Sequence, residues 1–186
     1  MTESQQTEGA PPFSRPIFVE SVGEKGLRLN LEASAAECAA LAELDGLAAI
    51  SKLAVEAELT RRGDRVFARG RVKGVVTQTC VVTLEPFDAQ VDEPFEVEYA
   101  PEAIADAAYA RAMAEIEAAP DRAAALAEQP DPPDPIVNGR IDLGQLAAEF
   151  LALGLDPYPR KPGVEFAPVV EDSPSPFADL AKLKKD

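Results

Sequence analysis

Apolar and polar positions alternate most regularly on either side of Gly63-Asp64, a dipeptide suited to a tight hairpin turn. Leu53, Val55, Ala57 and Leu59 share one face before the turn, and Val66, Ala68, Val72, Val76, Cys80 and Val82 share one face after it. A two-residue turn pairs Arg62 with Arg65, Leu59 with Ala68 and Val55 with Val72, so the two apolar faces agree and the register is self-consistent. A second turn at Glu85-Pro86-Phe87-Asp88 leads to Val91, Phe95, Val97 and Tyr99. The pattern predicts a three-stranded antiparallel meander whose long central strand needs a bend, which Gly70 or Gly74 can supply.

Upstream, Ile17 and Val19, then Leu27, Leu29 and Leu31, alternate around Gly23 and Gly26 and predict a first hairpin. Ser34 and Glu37 form a capping box for a helix carrying Cys38, Leu41 and Leu44, which Gly46 can close. Downstream, residues 102–119 are rich in alanine and acidic side chains and predict a helix with a thin apolar stripe of Ile104, Met113 and Ile116. Residues 120–135 read as a proline-rich, acidic, extended linker. Asp142 is a suitable N-cap, with Gln145 at the capping-box position, for a helix burying Leu143, Leu146, Ala147, Phe150 and Leu153 and ending at a left-handed Gly154. Pro157 to Pro162 then predicts an extended, solvated loop, and residues 176–186 a last short helix with Phe177, Leu180 and Leu183 on one side. The fold class expected is α+β: an antiparallel sheet of hairpins and a meander, open or closed into a barrel, covered by helices. Residues 1–12 read as disordered, and 13–186 as one domain.

Composition narrows the function. The chain has 186 residues, 33 acidic against 18 basic side chains, a formal charge of −15 and no histidine. That charge argues against sequence-independent grip on nucleic acid, which needs clustered cations, and favours basic protein partners. Without histidine the usual nucleophilic triads and most zinc sites are missing, so neither an enzyme, a metal nor a cofactor is expected. Cys38 and Cys80 have neither pairing nor zinc spacing and read as reduced structural thiols, with Cys80 an inert core residue. The first residues have no signal-peptide pattern and no stretch is long and apolar enough for a membrane span, so a cytoplasmic location is expected. Arg62-Gly63-Asp64 spells an adhesion tripeptide but serves as the hairpin turn.

Two groups of residues are candidate contact sites. Arg65, Phe67, Arg69, Arg71 and Lys73 lie on the central strand's face away from the core, a basic surface with an aromatic of the kind that holds single-stranded RNA. The same register sets Glu58 opposite Arg69 and Glu56 opposite Arg71, with Glu96 and Glu98 on the other neighbour, so cross-strand ion pairing is the competing reading. Tyr158, Arg160 and Lys161, in the loop after the Asp142 helix, form the second group. They either bind a partner or pack back against acidic strands.

The segments QTCVVTLEPF, IDLGQLAAEFLALGLDPYPRKPG and PFADLAKLKK, in that order, resemble the YceD family, the large ribosomal RNA subunit accumulation proteins of bacteria and plastids. The resemblance runs from about Val66 to the C-terminus, and the middle segment is similar to alphaproteobacterial members. It implies a ribosome-biogenesis factor supporting accumulation of large-subunit (23S-type) ribosomal RNA. With the acidity, it leads to expected contacts with a ribosomal protein or an rRNA-processing or assembly factor, direct RNA contact being the alternative. Some relatives carry a CxxC pair where this chain has Cys80-Val81-Val82-Thr83, so a metal or redox role of that pair is not expected here.

Overall fold

A computed structural model describes residues 11–165. Its centre is an open five-stranded sheet in the order β2-β3-β4-β5-β6, where β2 is Leu27–Glu32, β3 Ala49–Arg62, β4 Arg65–Thr79, β5 Pro86–Pro101 and β6 Asp134–Ile136. All neighbours are antiparallel except β5 and β6. The architecture is α+β, and the sheet does not close into a barrel. Across the Gly63-Asp64 turn the pairs Arg62↔Arg65, Leu59↔Ala68 and Val55↔Val72 all form, as the alternation requires.

One sheet face holds the core. Leu53, Val55, Leu59, Val66, Val72, Val76 and Phe95 pack there against Cys38 and Leu41 of α1 (Ala35–Leu44) and Leu143, Leu146, Ala147 and Leu151 of α4 (Leu143–Leu153). The two glycines of β4 point into this layer. A Cβ on Gly74 would lie 2.5 Å from Leu151 Cδ1, and one on Gly70 would lie 1.9 Å from the Glu56 carbonyl oxygen and 2.8 Å from the Phe95 ring. They give room to neighbours rather than a bend. The irregularity lies in β3, where a register shift between Ile50 and Lys52 turns both Ile50 and Leu53 inward although they are three residues apart.

Several expectations are corrected. Ile17 and Leu27 do not share a hairpin: β1 (Pro16–Phe18) pairs with β7 (Arg140–Asp142), while β2 pairs with β3. The leucines of β2 extend the apolar face of β3, and Ile17 is drawn opposite Ile141, a long-range choice that local alternation does not reveal. The turn after β4 spans Val81–Glu85, with Cys80 N–H bonded to the Glu85 carbonyl, so Pro86, Phe87 and Asp88 already belong to β5. Within the expected linker, Asp121 caps a short helix, α3 (Arg122–Glu128), and β6 adds to the sheet edge. Helix α2 (Glu102–Ala118) buries Ala105, Ala112 and Ile116, leaving Met113 exposed.

In α4, Asp142 caps as expected, accepting from Gly144 and Gln145 N–H, but the Gln145 side chain bonds Glu149 rather than closing a capping box. Leu151 is fully buried and Leu153 is 75% exposed, because the inward row runs through positions 143, 147 and 151. Gly154 keeps a right-handed backbone, φ −81°; it is small because a Cβ there would lie 2.6 Å from Val91 Cγ1. Of the N-terminal disorder expected over residues 1–12, positions 1–10 lie outside the described residues, as does the expected helix at 176–186, while Pro11 and Pro12 are described and lie beside Phe13. No helix among the described residues is long and apolar enough to cross a membrane.

Candidate partner-binding site

The loop after α4 is docked by its backbone onto the turn that joins β4 and β5. Val81 N–H donates to the Pro159 carbonyl at 2.9 Å, and Lys161 N–H donates to Cys80 Sγ at 3.4 Å. The buried Gln78 amide donates to the Asp156 carbonyl at 3.1 Å, and Asp156 Oδ1 accepts from Tyr158 N–H at 2.8 Å. The loop is therefore not the freely solvated segment that its prolines suggest.

Docking sorts the three loop candidates. Pro159 and Lys161 turn toward the body, and Lys161 Nζ binds Glu85 Oε2 at 3.0 Å. Tyr158 is 71% exposed and Arg160 is exposed, with no ion-pair partner among the described residues. Lys161 thus packs back over an acidic turn, whereas Tyr158 and Arg160 face outward on a held backbone.

Cys80 lies beneath this loop, fully buried. The Lys161 N–H, then the hydroxyl and N–H of Thr83, stabilise its thiolate and bring its pKa down from 9.0 to about 6, against the opposing effect of burial. Thr83 thus sits near enough to act on the Cys80 thiol, while the bond from Lys161 N–H is the one that ties it to the loop. Cys80 is therefore more than the plain core thiol that its place on the apolar face suggests: it accepts the bond that holds the loop, a role set by tertiary packing.

The basic strand face is organised differently. Arg69 binds Glu58 at 2.8 Å, Arg71 binds Asp92 at 2.8 Å, Lys73 binds Glu56 at 2.9 Å, and Arg65 pairs with Glu98. Glu58 also receives Arg28 at 3.3 Å. Facing register partners do not always bond: Glu56 faces Arg71 but takes Lys73, a diagonal exchange within reach of long side chains. The shifts agree with this pairing. Arg69 and then Arg28 hold the Glu58 carboxyl below its usual range, Arg71 does the same for Asp92, and both Arg69 and Arg71 are raised by their acids. Phe67 is half-buried with the Arg62 guanidinium 5.3 Å above its ring. The face is a lattice of matched charges in which each of the four strand cations already has an anion.

An open, mostly antiparallel sheet with α1 and α4 on one face, matched charges on the other and a pinned, outward-facing loop defines a small α+β protein whose distinctive surface is a loop. The chain belongs to the YceD family, described as large ribosomal RNA subunit accumulation protein YceD, whose profile matches residues 68–184. The match starts within β4 and includes the Cys80 turn, α4 and the docked loop. No curated protein and no solved structure matches the chain.

Proposed function

We propose that this chain is a non-catalytic ribosome-biogenesis factor that supports accumulation of large-subunit ribosomal RNA, acting in the cytoplasm through contact with a ribosomal protein or an rRNA-processing or assembly factor. The family match carries the biogenesis part. Contact with protein rather than RNA is favoured because the cations Arg65, Arg69, Arg71 and Lys73 are engaged by acids on neighbouring strands, in a chain of net charge −15. Counterion release from RNA requires cations that are free to replace the counterions. Tyr158 and Arg160 are the leading contact residues: a tyrosine and an arginine on a backbone already held in place lose little freedom on binding, and both types are common at binding hot spots. Lys161 contributes by fixing the loop through Glu85.

Affinity capture of the tagged chain from growing cells tests this. Large-subunit precursors with assembly proteins are expected, and Tyr158→Ala combined with Arg160→Ala should reduce their recovery by about tenfold or more, as for loss of two hot-spot side chains. A preparation free of both precursors and assembly proteins contradicts the proposal.

A further inference from the structure

A cleft of about 400 Å³ opens between β6, β7 and α4, and none of the candidate residues considered so far lines it. Its lining includes Tyr99, Asp134 and Glu149, with Pro135, Ile141 and Leu146 as apolar walls. Tyr99 is the informative residue. Only 6% of its surface is exposed, and its hydroxyl has no hydrogen-bond partner among the described residues. Asp45 Oδ2 is the sole fully enclosed side-chain oxygen or nitrogen without a partner among those residues, so the unpaired Tyr99 hydroxyl opens into the cleft. The ring is buried while the hydroxyl stays accessible from the cleft, so a polar group entering there can bond to it.

The remaining groups define what that partner must be. Asp142 is occupied: Oδ1 accepts from Arg15, Gly144 and Gln145 N–H, and Oδ2 from the Ser14 hydroxyl. Glu149 accepts one bond from the Gln145 amide, which leaves its second oxygen open. Asp134, exposed at the residue level, has no ion-pair or hydrogen-bond partner among the described residues, and partial desolvation of its carboxyl, followed by the nearby Glu149 and Asp131, raises its pKa. The cleft's own cation, Arg140, is held elsewhere, with its guanidinium 4.3 Å from the Phe18 ring centroid. Carboxylates at the head of the cleft beside apolar walls suit an organic cation carried on an alkyl stem.

We propose that this cleft receives a lysine or arginine side chain of a basic protein partner. The cationic head donates to Asp134, the free oxygen of Glu149 and the Tyr99 hydroxyl, while the alkyl stem lies along Pro135, Ile141 and Leu146. The site deepens the partner reading, by assigning the partner a basic segment, and it matches the chain's excess of acidic residues.

The test is a titration of the full purified chain with the capped peptide Gly-Gly-Arg-Gly-Gly and its lysine counterpart, followed by amide NMR. Saturable shifts confined to the residues around Tyr99, Asp134 and Glu149 are expected. The citrulline peptide, equal in shape but uncharged, should give none. Asp134→Asn with Glu149→Gln, both exposed and so replaceable without loss of fold, should weaken binding by about tenfold or more, and Tyr99→Phe by about threefold. Equal response to the citrulline peptide, shifts located elsewhere, or unchanged affinity in the double variant overturns the proposal. Because the assay uses purified chain and small peptides, its failure leaves the role of Tyr158 and Arg160 intact, and failure of capture from cells leaves the cleft measurement standing.

Discussion

Gly70 shows how one missing side chain decides a strand crossing. A methyl group there would stand 1.9 Å from the Glu56 carbonyl oxygen, on backbone that is fixed by the β3–β4 ladder and cannot yield cheaply. Gly70→Ala should therefore destabilise the fold by about 3 kcal/mol, at the upper end of overpacking costs, seen as a lower urea midpoint with unchanged slope. A second residue-scale prediction concerns Glu37. Its carboxylate binds Arg15 at 2.7 Å and Ser34 N–H at 2.7 Å, and these partners, Arg15 first, lower its pKa from 4.5 to about 2. A depressed acid stabilises the folded state above its unfolded pKa and loses that contribution as pH falls through the folded value. Wild type should accordingly exceed Glu37→Gln in stability at neutral pH, and the gap should close between about pH 4.5 and 2; a gap that stays constant across this window contradicts the assignment.

At the scale of elements, what was legible in the sequence was whatever local rules govern. The Gly63-Asp64 hairpin, the Ser34–Glu37 capping box and the Asp142 cap are all present because each depends on residues within a few positions of one another. What the alternation hid is long-range. β1 pairs with β7 across more than a hundred residues, and the register shift near Ser51 makes the apolar period skip, so that Ile50 and Leu53 share a face. The candidate site divides in the same way. The pairing of Arg69 with Glu58 follows from register, but the anchoring of Lys161 by Cys80 and Glu85, and the meeting of Tyr99 with Asp134, depend on the packing of distant segments. Asp142 connects these elements, since its carboxylate caps α4 and also receives Ser14 and Arg15. Asp142→Ala should cost about 2 kcal/mol, the upper part of the range for an N-cap, and thermal unfolding of the purified variant measures it.

Across the whole molecule, the distribution of charge decides what kind of partner each surface can meet. Eight ion pairs occur among the described residues, five of them involving the outer sheet face, so that face offers RNA little uncompensated positive charge. Purified protein should not be retained by RNA even at low salt, and Arg69→Glu with Arg71→Glu should leave that result unchanged; retention by wild type that the double variant abolishes would instead favour direct RNA binding. With the outer face self-neutralised, the protein-contact reading rests on the loop that β4, β5 and α4 hold in place. Residue-resolved crosslinking in growing cells, read out for protein and RNA together, tests it most directly. Crosslinks from Tyr158 and its neighbours to a protein of the large-subunit assembly pathway, with little RNA attached to β4, are the predicted result. Crosslinks predominantly from Arg65 to Lys73 into ribosomal RNA, with none from the loop to protein, would contradict the account.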